Sequence, residues 1–337
     1  MKFNASLARI ARIAAPTAQT MITVAILCGA LIAPSLVRLA SAQQLQEADG
    51  IPYEVRHVQG NVYMFASTLG NVTIQIGKDP GHDGVLLVDT GPARLRETLL
   101  AEIRKLSPQP VRFIINTSAD ADHTGANAVL LKPTRVYQSQ AEVALFAQDN
   151  VLQRMSRDGS GVPAAAWPTL TFLEGKSFVF NGEAIQMFAE KSAHTDGDSI
   201  VLFRGSNVLS AGDVFLTTGY PVIDLERGGS IQGEIRALNH ILDLTVPRSM
   251  QEGGTMVIPG HGRLCDESEV SDYRDMLTII RDRVQDLLQK GKTLEEVKAA
   301  RLSRDYDRRY STPAWTGDMF IEAVYKSLNR ERTGGSK

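Results

Sequence analysis

The sequence has 337 residues, of which 43% are hydrophobic and 22% are charged, and its formal net charge is −2. This composition is typical of a globular chain that forms one large domain or two smaller ones. The charge gives no indication of a nucleic-acid partner, because such partners are bound through an excess of lysine and arginine.

The first 42 residues have the order of a secretory signal peptide. Lys2, Arg9 and Arg12 precede an apolar run over residues 21–33, and the small residues Ala-Ser-Ala follow at 40–42. We expect cleavage after residue 42, location in the periplasm or outside the cell, and no stable membrane association afterwards. A retained membrane anchor is the alternative. Cleavage removes four basic residues and no acidic one, so the formal net charge falls from −2 to −6.

Cleavage leaves Cys265 as the only cysteine of the exported chain. A single cysteine forms no internal disulfide, so the domain depends on its hydrophobic core for stability. A small, buried thiol is the expected state of Cys265. A reactive thiol or a metal ligand is the alternative, because the residue follows a Gly-His-Gly turn.

The N-terminal half of the exported chain begins with strands and continues with alternating strands and helices. Runs rich in β-branched residues predict strands at 53–59, 62–66, 71–76, 84–89, 111–115 and 135–139. Helical spacing of apolar residues predicts helices at 94–106 and 141–154. Residues 156–168 are rich in Gly, Pro and Ala and predict a loop long enough to cover a site or to be mobile.

The C-terminal half begins with strand pairs and ends in helices. Strands are predicted at 178–180, 184–189, 199–203, 207–210 and 255–258, and Asn181-Gly182 predicts a tight hairpin turn between the first two. Helices are predicted at 231–244, 267–290, 294–301 and 316–328, and a disordered tail at 331–337. This order predicts a layered α/β sandwich in one domain over residues 43–330, with a C-terminal helical extension.

Three of the six histidines share a context that predicts a metal site. His123, His194 and His261 each follow an apolar strand or lie in a tight glycine turn, and Asp213 ends a further strand. Imidazole and carboxylate ligands at strand ends, spread along the chain, build an open metal site on a rigid fold. The other three histidines lack this context and are predicted to be structural or exposed: His57, His82 and His240.

The motifs resemble those of the metallo-β-lactamase-fold hydrolases over nearly all of residues 50–265. The matching segments are Asp89-Thr90-Gly91, Asp122-His123-Thr124-Gly125, His194-Thr195-Asp196-Gly197-Asp198, Gly212-Asp213 and Pro259-Gly260-His261-Gly262. The resemblance implies an αββα sandwich of two mixed β-sheets flanked by helices, with a metal site at one edge of the sheets. It also implies a metal-activated water that attacks an ester, thioester, amide or phosphodiester.

The resemblance assigns the ligands to two neighbouring metal sites. Asp122, His123 and His261 would form one complete site, with Asp213 as a bridging ligand. Asp122 would also orient the attacking water and protonate the leaving group. His194 would belong to the partner site, together with the residues at positions 118 and 120.

The partner site departs from the family pattern. The family loop reads His-x-His-x-Asp-His, whereas this chain has Ser118 and Asp120 in place of the first two histidines. A neutral hydroxyl is a poor zinc ligand, and a carboxylate favours harder metals. We expect one or two Zn²⁺ ions, with Mn²⁺ or Fe²⁺ as alternatives at the altered site. Ser118 is a candidate for either the second site or substrate contact.

Three outcomes remain open for this departure. The protein uses the complete site alone, or it holds a second, weaker metal through Asp120, His194 and Asp213, or it has lost catalysis and kept the fold for binding.

The leading hypothesis is an exported metal-dependent hydrolase of a small-molecule ester, lactone, thioester or lactam. The alternative is a catalytically weak or inactive periplasmic binding or accessory protein. Tyr220 and the loop at 156–168 are candidates for substrate contact.

Overall fold

A computed structural model describes residues 45–79, 83–131 and 142–334. Gln44–Lys337 form one compact unit. The predicted signal peptide, His82 and the strand predicted at 135–139 lie outside the described residues. In the part of the chain that is described, no helix combines the length and the hydrophobicity needed to cross a lipid bilayer.

The first sheet contains eight strands that follow one another in chain order. The strands β1 to β5 pair antiparallel, and β5 to β8 pair parallel. Their bounds are β1 Gln46–Ala48, β2 Ile51–Gln59, β3 Val62–Ser67, β4 Gly70–Ile76, β5 Val85–Val88, β6 Val111–Asn116, β7 Ala144–Gln148 and β8 Leu170–Phe172.

The second sheet contains six strands in the order β14-β13-β12-β11-β10-β9. The strands β12 and β13 pair parallel, and all other neighbours in this sheet pair antiparallel. Their bounds are β9 Gly175–Phe180, β10 Glu183–Glu190, β11 Asp198–Phe203, β12 Val208–Ser210, β13 Met256–Ile258 and β14 Cys265–Asp266. The hairpin predicted at Asn181-Gly182 joins β9 to β10, as expected.

Nine α-helices lie in the described part of the chain, and two of those in its C-terminal part begin at strong caps. The helices α6 and α7 both start with a capping box, at Asp266 and Thr293, which satisfies backbone N–H groups of the first turn. The bounds are α1 Arg96–Leu106, α2 Ala121–Thr124, α3 Asn127–Leu130, α4 Asp149–Met155, α5 Ile231–Leu244, α6 Glu267–Gln289, α7 Leu294–Ala299, α8 Arg304–Tyr310 and α9 Gly317–Gly334.

Three apolar layers hold the sheets and helices together. The central layer lies between the sheets and contains buried residues of both, including Met64 and Leu86 of the first and Phe203 of the second. The helix α1 packs on the outer face of the first sheet. The helices α5, α6 and α9 pack on the outer face of the second sheet. This arrangement is the αββα sandwich expected from the sequence.

One predicted helix was wrong in its N-terminal part. Residues 141–154 were expected to be helical throughout, but Ala144–Gln148 form β7 and only Asp149–Met155 form a helix. The strand pairs with β6 and β8 and buries Leu145 and Phe146. Alanine and leucine favour a helix, but pairing with strands distant in sequence outweighs that local preference.

The C-terminal end of α9 differs from the sequence prediction, whereas the burial of Cys265 agrees with it. The helix α9 continues to Gly334, so the prediction of disorder was wrong for residues 331–334, while 335–337 lie outside the described residues. Cys265 lies in β14 and is 2% exposed. Burial raises the pKa of its thiol to about 12, which makes it the unreactive thiol that was expected.

Replacement of Phe203 by alanine tests the central layer. Phe203 is fully buried between the sheets, so Phe203→Ala is expected to lower the free energy of unfolding by about 3–5 kcal/mol. Leu173→Ala is the matched control, because Leu173 is 67% exposed and its loss should change stability little. Urea unfolding followed by circular dichroism measures both variants, and an equal small effect would contradict this assignment of the core.

Candidate metal centre

Strands of both sheets end at one edge of the sandwich and deliver polar side chains there. The strands β5, β6, β12 and β13 each end directly before a turn or a short helix of this edge, and the turn between β10 and β11 reaches the same place. The side chains delivered in this way are Asp89, Asp122, His123, His194, Asp213 and His261. The sequence predicted a loop after β6, but Asp122 and His123 lie in the one-turn helix α2.

His123 lies at the centre of this edge and is fully buried between two carboxylates. Its Nδ1 lies 2.7 Å from Oδ2 of Asp89, and its Nε2 lies 3.2 Å from Oδ1 of Asp213. The carboxylate of Asp89 only accepts hydrogen bonds, so Nδ1 carries a proton and Nε2 of the neutral ring carries a lone pair. That lone pair faces an anionic oxygen, and this contact requires a cation, either a proton or a metal ion.

The two facing atoms both lack a hydrogen-bond partner. Nε2 of His123 and Oδ1 of Asp213 are both buried, and neither makes a hydrogen bond of acceptable geometry. Buried polar atoms without partners are costly in a folded protein, unless an ion satisfies them. An imidazole nitrogen and a carboxylate oxygen are also ligands that Zn²⁺ accepts. The residues present therefore fit a metal ion.

The pKa values of the site residues follow from the same geometry. Burial alone would lower the pKa of His123, but Asp213 and Asp89 raise it well above its ordinary value. Burial opposes ionisation of Asp213, and the charge of His123 nevertheless holds its pKa well below the usual range. His194 is raised to a pKa of about 9, because Asp198 outweighs the effect of burial. The metal-free site thus pairs imidazolium with carboxylate, and a metal would displace those protons.

The structure brings the predicted ligands together as two adjacent groups. Asp122, His123 and His261 form the first group, and Asp120, His194 and Asp213 form the second. Within each group the ligand atoms lie within 4.8 Å of one another.

Contacts across the groups place Asp213 between them. Nε2 of His261 lies 3.1 Å from Oδ2 of Asp122 and 3.5 Å from Oδ1 of Asp213. Asp213 therefore reaches both groups, which is the position of a bridging ligand. The assignment of these residues as ligands stays a prediction.

Hydrogen bonds between loops fix the spacing of the ligands. The side-chain amide of Asn71 donates to the carbonyls of Pro259 and Gly262, on either side of His261. The hydroxyl and N–H of Thr117 both donate to the carboxylate of Asp89. Gly212 has a φ of +52°, and a Cβ there would lie 2.6 Å from Oγ1 of Thr117, so the turn before Asp213 needs glycine.

The family comparison agrees with this geometry. The model of the metallo-beta-lactamase superfamily matches residues 69–303, which is more than half of the chain. The chain belongs to the metallo-β-lactamase superfamily. Members of this superfamily are hydrolases, and their fold implies metal ions. The expected fold and the expected enzyme class are both confirmed.

Relatives of this superfamily member include both alkylsulfatases and β-lactamases. A linear primary-alkylsulfatase of Pseudomonas sp. (strain ATCC 19151) is 32% identical over 97 residues, which are 28% of this chain and 17% of that protein. The structure of a stereoselective inverting sec-alkylsulfatase from Pseudomonas sp. matches with a TM-score of 0.62 and 17% identity, over 82% of this chain and 50% of that one.

A β-lactamase structure matches over a shorter part of the chain. The metallo-β-lactamase from Pontibacter korlensis gives a TM-score of 0.52 and 19% identity, over 67% of this chain and 99% of its own. At these identities the structures show the shared fold. The chain spans about half the length of the solved alkylsulfatase and less than a fifth of the curated one.

The second group of ligands lies beside a cavity of about 620 Å³, which Asp120 and Arg227 line together with Arg157 and Val162 of the loop between α4 and β8. The loop predicted at 156–168 therefore lies beside the site. Arginines, apolar side chains and the carboxylates of Asp120 and Asp158 all line this space.

Three further predicted residues do not reach the centre. Tyr220 was expected to contact substrate, but it is buried in the core and its hydroxyl donates to Asp307 at 2.9 Å and to the carbonyl of Ser303. His57 lies exposed on β2, and His240 pairs with Glu190 at the surface of α5. Both histidines are outside the site, as expected. The sequence pattern around Tyr220 does not show whether its side chain faces the site or the core.

Two residues that bear on the site were not assigned to it from the sequence. In the sequence, Asp89 was noted only as part of a family motif. Its position at the end of an apolar strand could have indicated that it belongs to the site. Arg227 lies in an irregular segment without any motif, and it contacts Asp120 across 107 positions of sequence. No local pattern predicts such a contact.

Asp89→Asn tests whether Asp89 positions His123. Asparagine tolerates the φ of +63° at this position, but its amide replaces the charged acceptor that orients Nδ1. Loss of such a partner of a metal-bound histidine is expected to weaken zinc affinity by about 10–100-fold. Competition with a chromophoric chelator measures the affinity. Asp286→Asn, at an exposed pair with Lys290, is the control, and an equal affinity in both variants would contradict the role of Asp89.

Glu234 is a buried carboxyl group of α5 without any hydrogen-bond partner for either oxygen. Burial, and then the nearby carboxylates of Asp198, Asp213 and Glu190, raise its pKa well above the ordinary value. The folded state therefore holds this proton more tightly than the unfolded state does. Stability from this group is present below the unfolded pKa, and it is lost as the pH rises towards the folded pKa.

Glu234→Gln is expected to remove that pH dependence. The variant should match the wild type near pH 4 and become the more stable protein as the pH rises to 8, because glutamine never ionises. Thermal unfolding across this pH range measures the difference. Glu252→Gln, at an exposed position, should stay parallel to the wild type throughout. A constant offset for Glu234→Gln would show that Glu234 does not titrate on unfolding.

Proposed function

We propose that the protein is an exported hydrolase that uses a metal-activated water to cleave an ester of a small molecule, with sulfate esters of apolar alcohols as first candidates. The observation that carries the proposal is the buried pair of Nε2 of His123 and Oδ1 of Asp213, neither of which makes a hydrogen bond. Burial of such a pair without an ion between the two atoms lowers the stability of the folded protein.

A zinc ion bound by the first group would supply the positive charge that lowers the pKa of water towards neutrality. His123 and His261 would hold it, and Asp213 would contribute its buried oxygen. The side chain of Asp122 is 36% exposed and that of Asp213 is 13% exposed, so Asp122 is the more open of these two carboxylates. Its side chain therefore orients the incoming water, accepts its proton and returns that proton to the leaving group.

The cavity supports an amphipathic, anionic substrate. Arg157 has an exposed side chain beside the cavity, and Val162 and Met155 supply apolar surface. A sulfate ester carries a permanent negative charge next to its alkyl chain, so it matches both features. The alkylsulfatase relatives support the same class, whereas the altered positions 118 and 120 count against efficient lactam hydrolysis. Lactones, thioesters and carboxylic esters follow as further candidates.

A panel of substrates and two variants test the proposal. The metal-loaded wild type is expected to release sulfate from a primary alkyl sulfate faster than it cleaves a carboxylic ester, a lactone, a thioester or a cephalosporin. His123→Ala and Asp213→Ala are expected to lower metal affinity by more than about 100-fold, beyond the effect of losing a partner that only positions a ligand. Both should lose turnover in parallel, and His57→Ala should retain metal and activity.

The outcomes separate the parts of the proposal. Faster cleavage of another ester would contradict the sulfate-ester class and leave the hydrolase in place. Unchanged metal content in both variants would contradict the site. A wild type without metal and without turnover would instead support the binding or accessory role, for which the replacement of two ligand positions is the motivating observation.

Export is a separate part of the proposal. It follows from the signal-peptide pattern of residues 1–42, and a fusion of these residues to a reporter enzyme would measure it. Reporter activity in the periplasmic fraction is the expected result, and cytoplasmic retention would contradict it.

A further inference from the structure

Arg227 is held on the side of the site where the second group of ligands lies. Its Nη1 donates to Oδ1 of Asp120, and its Nε donates to Oδ2 of Asp224 at 2.6 Å. The side chain of Arg227 is 31% exposed and that of Asp120 is 20% exposed, so water screens this pair only in part. Two carboxylates therefore fix a guanidinium directly beside the second group.

The backbone around Arg227 is tied to the loop that carries His194. The N–H of Asp224 donates to the carbonyl of His194 at 3.0 Å, and the carbonyl of Arg227 accepts from the N–H of Asp196 at 2.9 Å. Nη2 of Arg154 donates to the same carbonyl of Arg227 at 3.2 Å. The guanidinium and the imidazole of His194 therefore keep a fixed spacing, and Arg227 is part of the built site.

The second group is short of ligands for a metal ion of its own. It contains Asp120, His194 and Asp213, but Asp213 also reaches the first group. One oxygen of Asp120 is already used by Arg227. The hydroxyl of Ser118 accepts from the N–H of Asp120 at 3.2 Å, so it serves its own loop. His194 and one oxygen of Asp120 remain, together with the shared Asp213, so the second group has no third ligand of its own, whereas catalytic zinc sites have three protein ligands.

We infer that the guanidinium of Arg227 takes the place of the second metal ion, so that the centre holds one metal ion in the first group and one fixed organic cation beside the second. This inference rests on the proposed function, because it takes the first group as the metal site. Of the three outcomes that the sequence left open, the inference selects the one in which only the complete site binds a metal ion.

The electrostatics of the site explain why a guanidinium suits this position. A second divalent ion a few ångströms from the first is strongly repelled in a partly buried site, whereas a single, delocalised charge is repelled about half as much. Arg227 acts through Asp120, whose carboxylate it neutralises and holds, and is therefore a positioning residue.

Metal stoichiometry tests the inference without any assay of activity. The full-length protein and its variants are stripped with a chelator, dialysed against buffered Zn²⁺ and analysed by inductively coupled plasma mass spectrometry. The wild type is expected to bind one equivalent. Arg227→Met is expected to bind two, because both oxygens of Asp120 become free. Arg227→Lys keeps the charge and is expected to stay at one.

Two further variants make the result specific. Arg157→Met removes an arginine from the same cavity that makes no ion pair among the described residues, and it should stay at one equivalent. The double variant Arg227→Met/Asp120→Asn should also return to one, because the gained ion depends on the freed carboxylate. Circular dichroism confirms that each variant is folded before its metal is counted.

The failures of this inference and of the proposed function are distinguishable. Two equivalents in the wild type would overturn the role of Arg227, as would one equivalent in a folded Arg227→Met, and both leave the metal-dependent hydrolase intact. No equivalent in the wild type would overturn the proposed function itself.

Discussion

The contact between His123 and Asp213 is the constraint on which the rest of this edge depends. His123 comes from the first sheet and Asp213 from the second, and the two side chains meet where both are buried. Asp89 fixes the ring from the other side, so its free nitrogen has only one direction to face. A buried lone pair opposite a buried carboxylate is unfavourable unless a cation lies between them. This edge of the sandwich is therefore suited to binding a cation.

The frame that holds this contact is made of backbone and small polar groups. Thr117 anchors Asp89, and Asn71 spans the turn of His261. The N–H of Gly260 donates to the carbonyl of Gly212 at 2.8 Å, which joins the turns of His261 and Asp213 directly. The bonds of Asn71 run from the first sheet to the turn of His261 after the second, so the fold itself holds the ligand loops at a fixed spacing.

The two halves of the site have unequal means of binding a metal. The first group offers two imidazoles and a carboxylate, whereas the second offers one imidazole and two carboxylates, one of which is the shared Asp213. Asp120 of the second group pairs with Arg227 on a segment tied to the loop of His194. The cavity beside this pair is lined by arginine, carboxylate and apolar side chains.

The sequence by itself predicted a layered sandwich, most helix and strand positions, and the candidate ligands. Apolar periodicity and turn residues act locally, and the candidate ligands lie at strand ends or in tight glycine turns, so these features could be found without a fold. The αββα order and the assignment of the ligands to two groups followed from the resemblance of the motifs to the family. Only the tertiary structure decided three features. Residues 144–148 form β7 and not a helix, Tyr220 lies in the core, and Arg227 pairs with Asp120. Each of them depends on pairing or burial between segments far apart in the chain, and no local pattern carries that information.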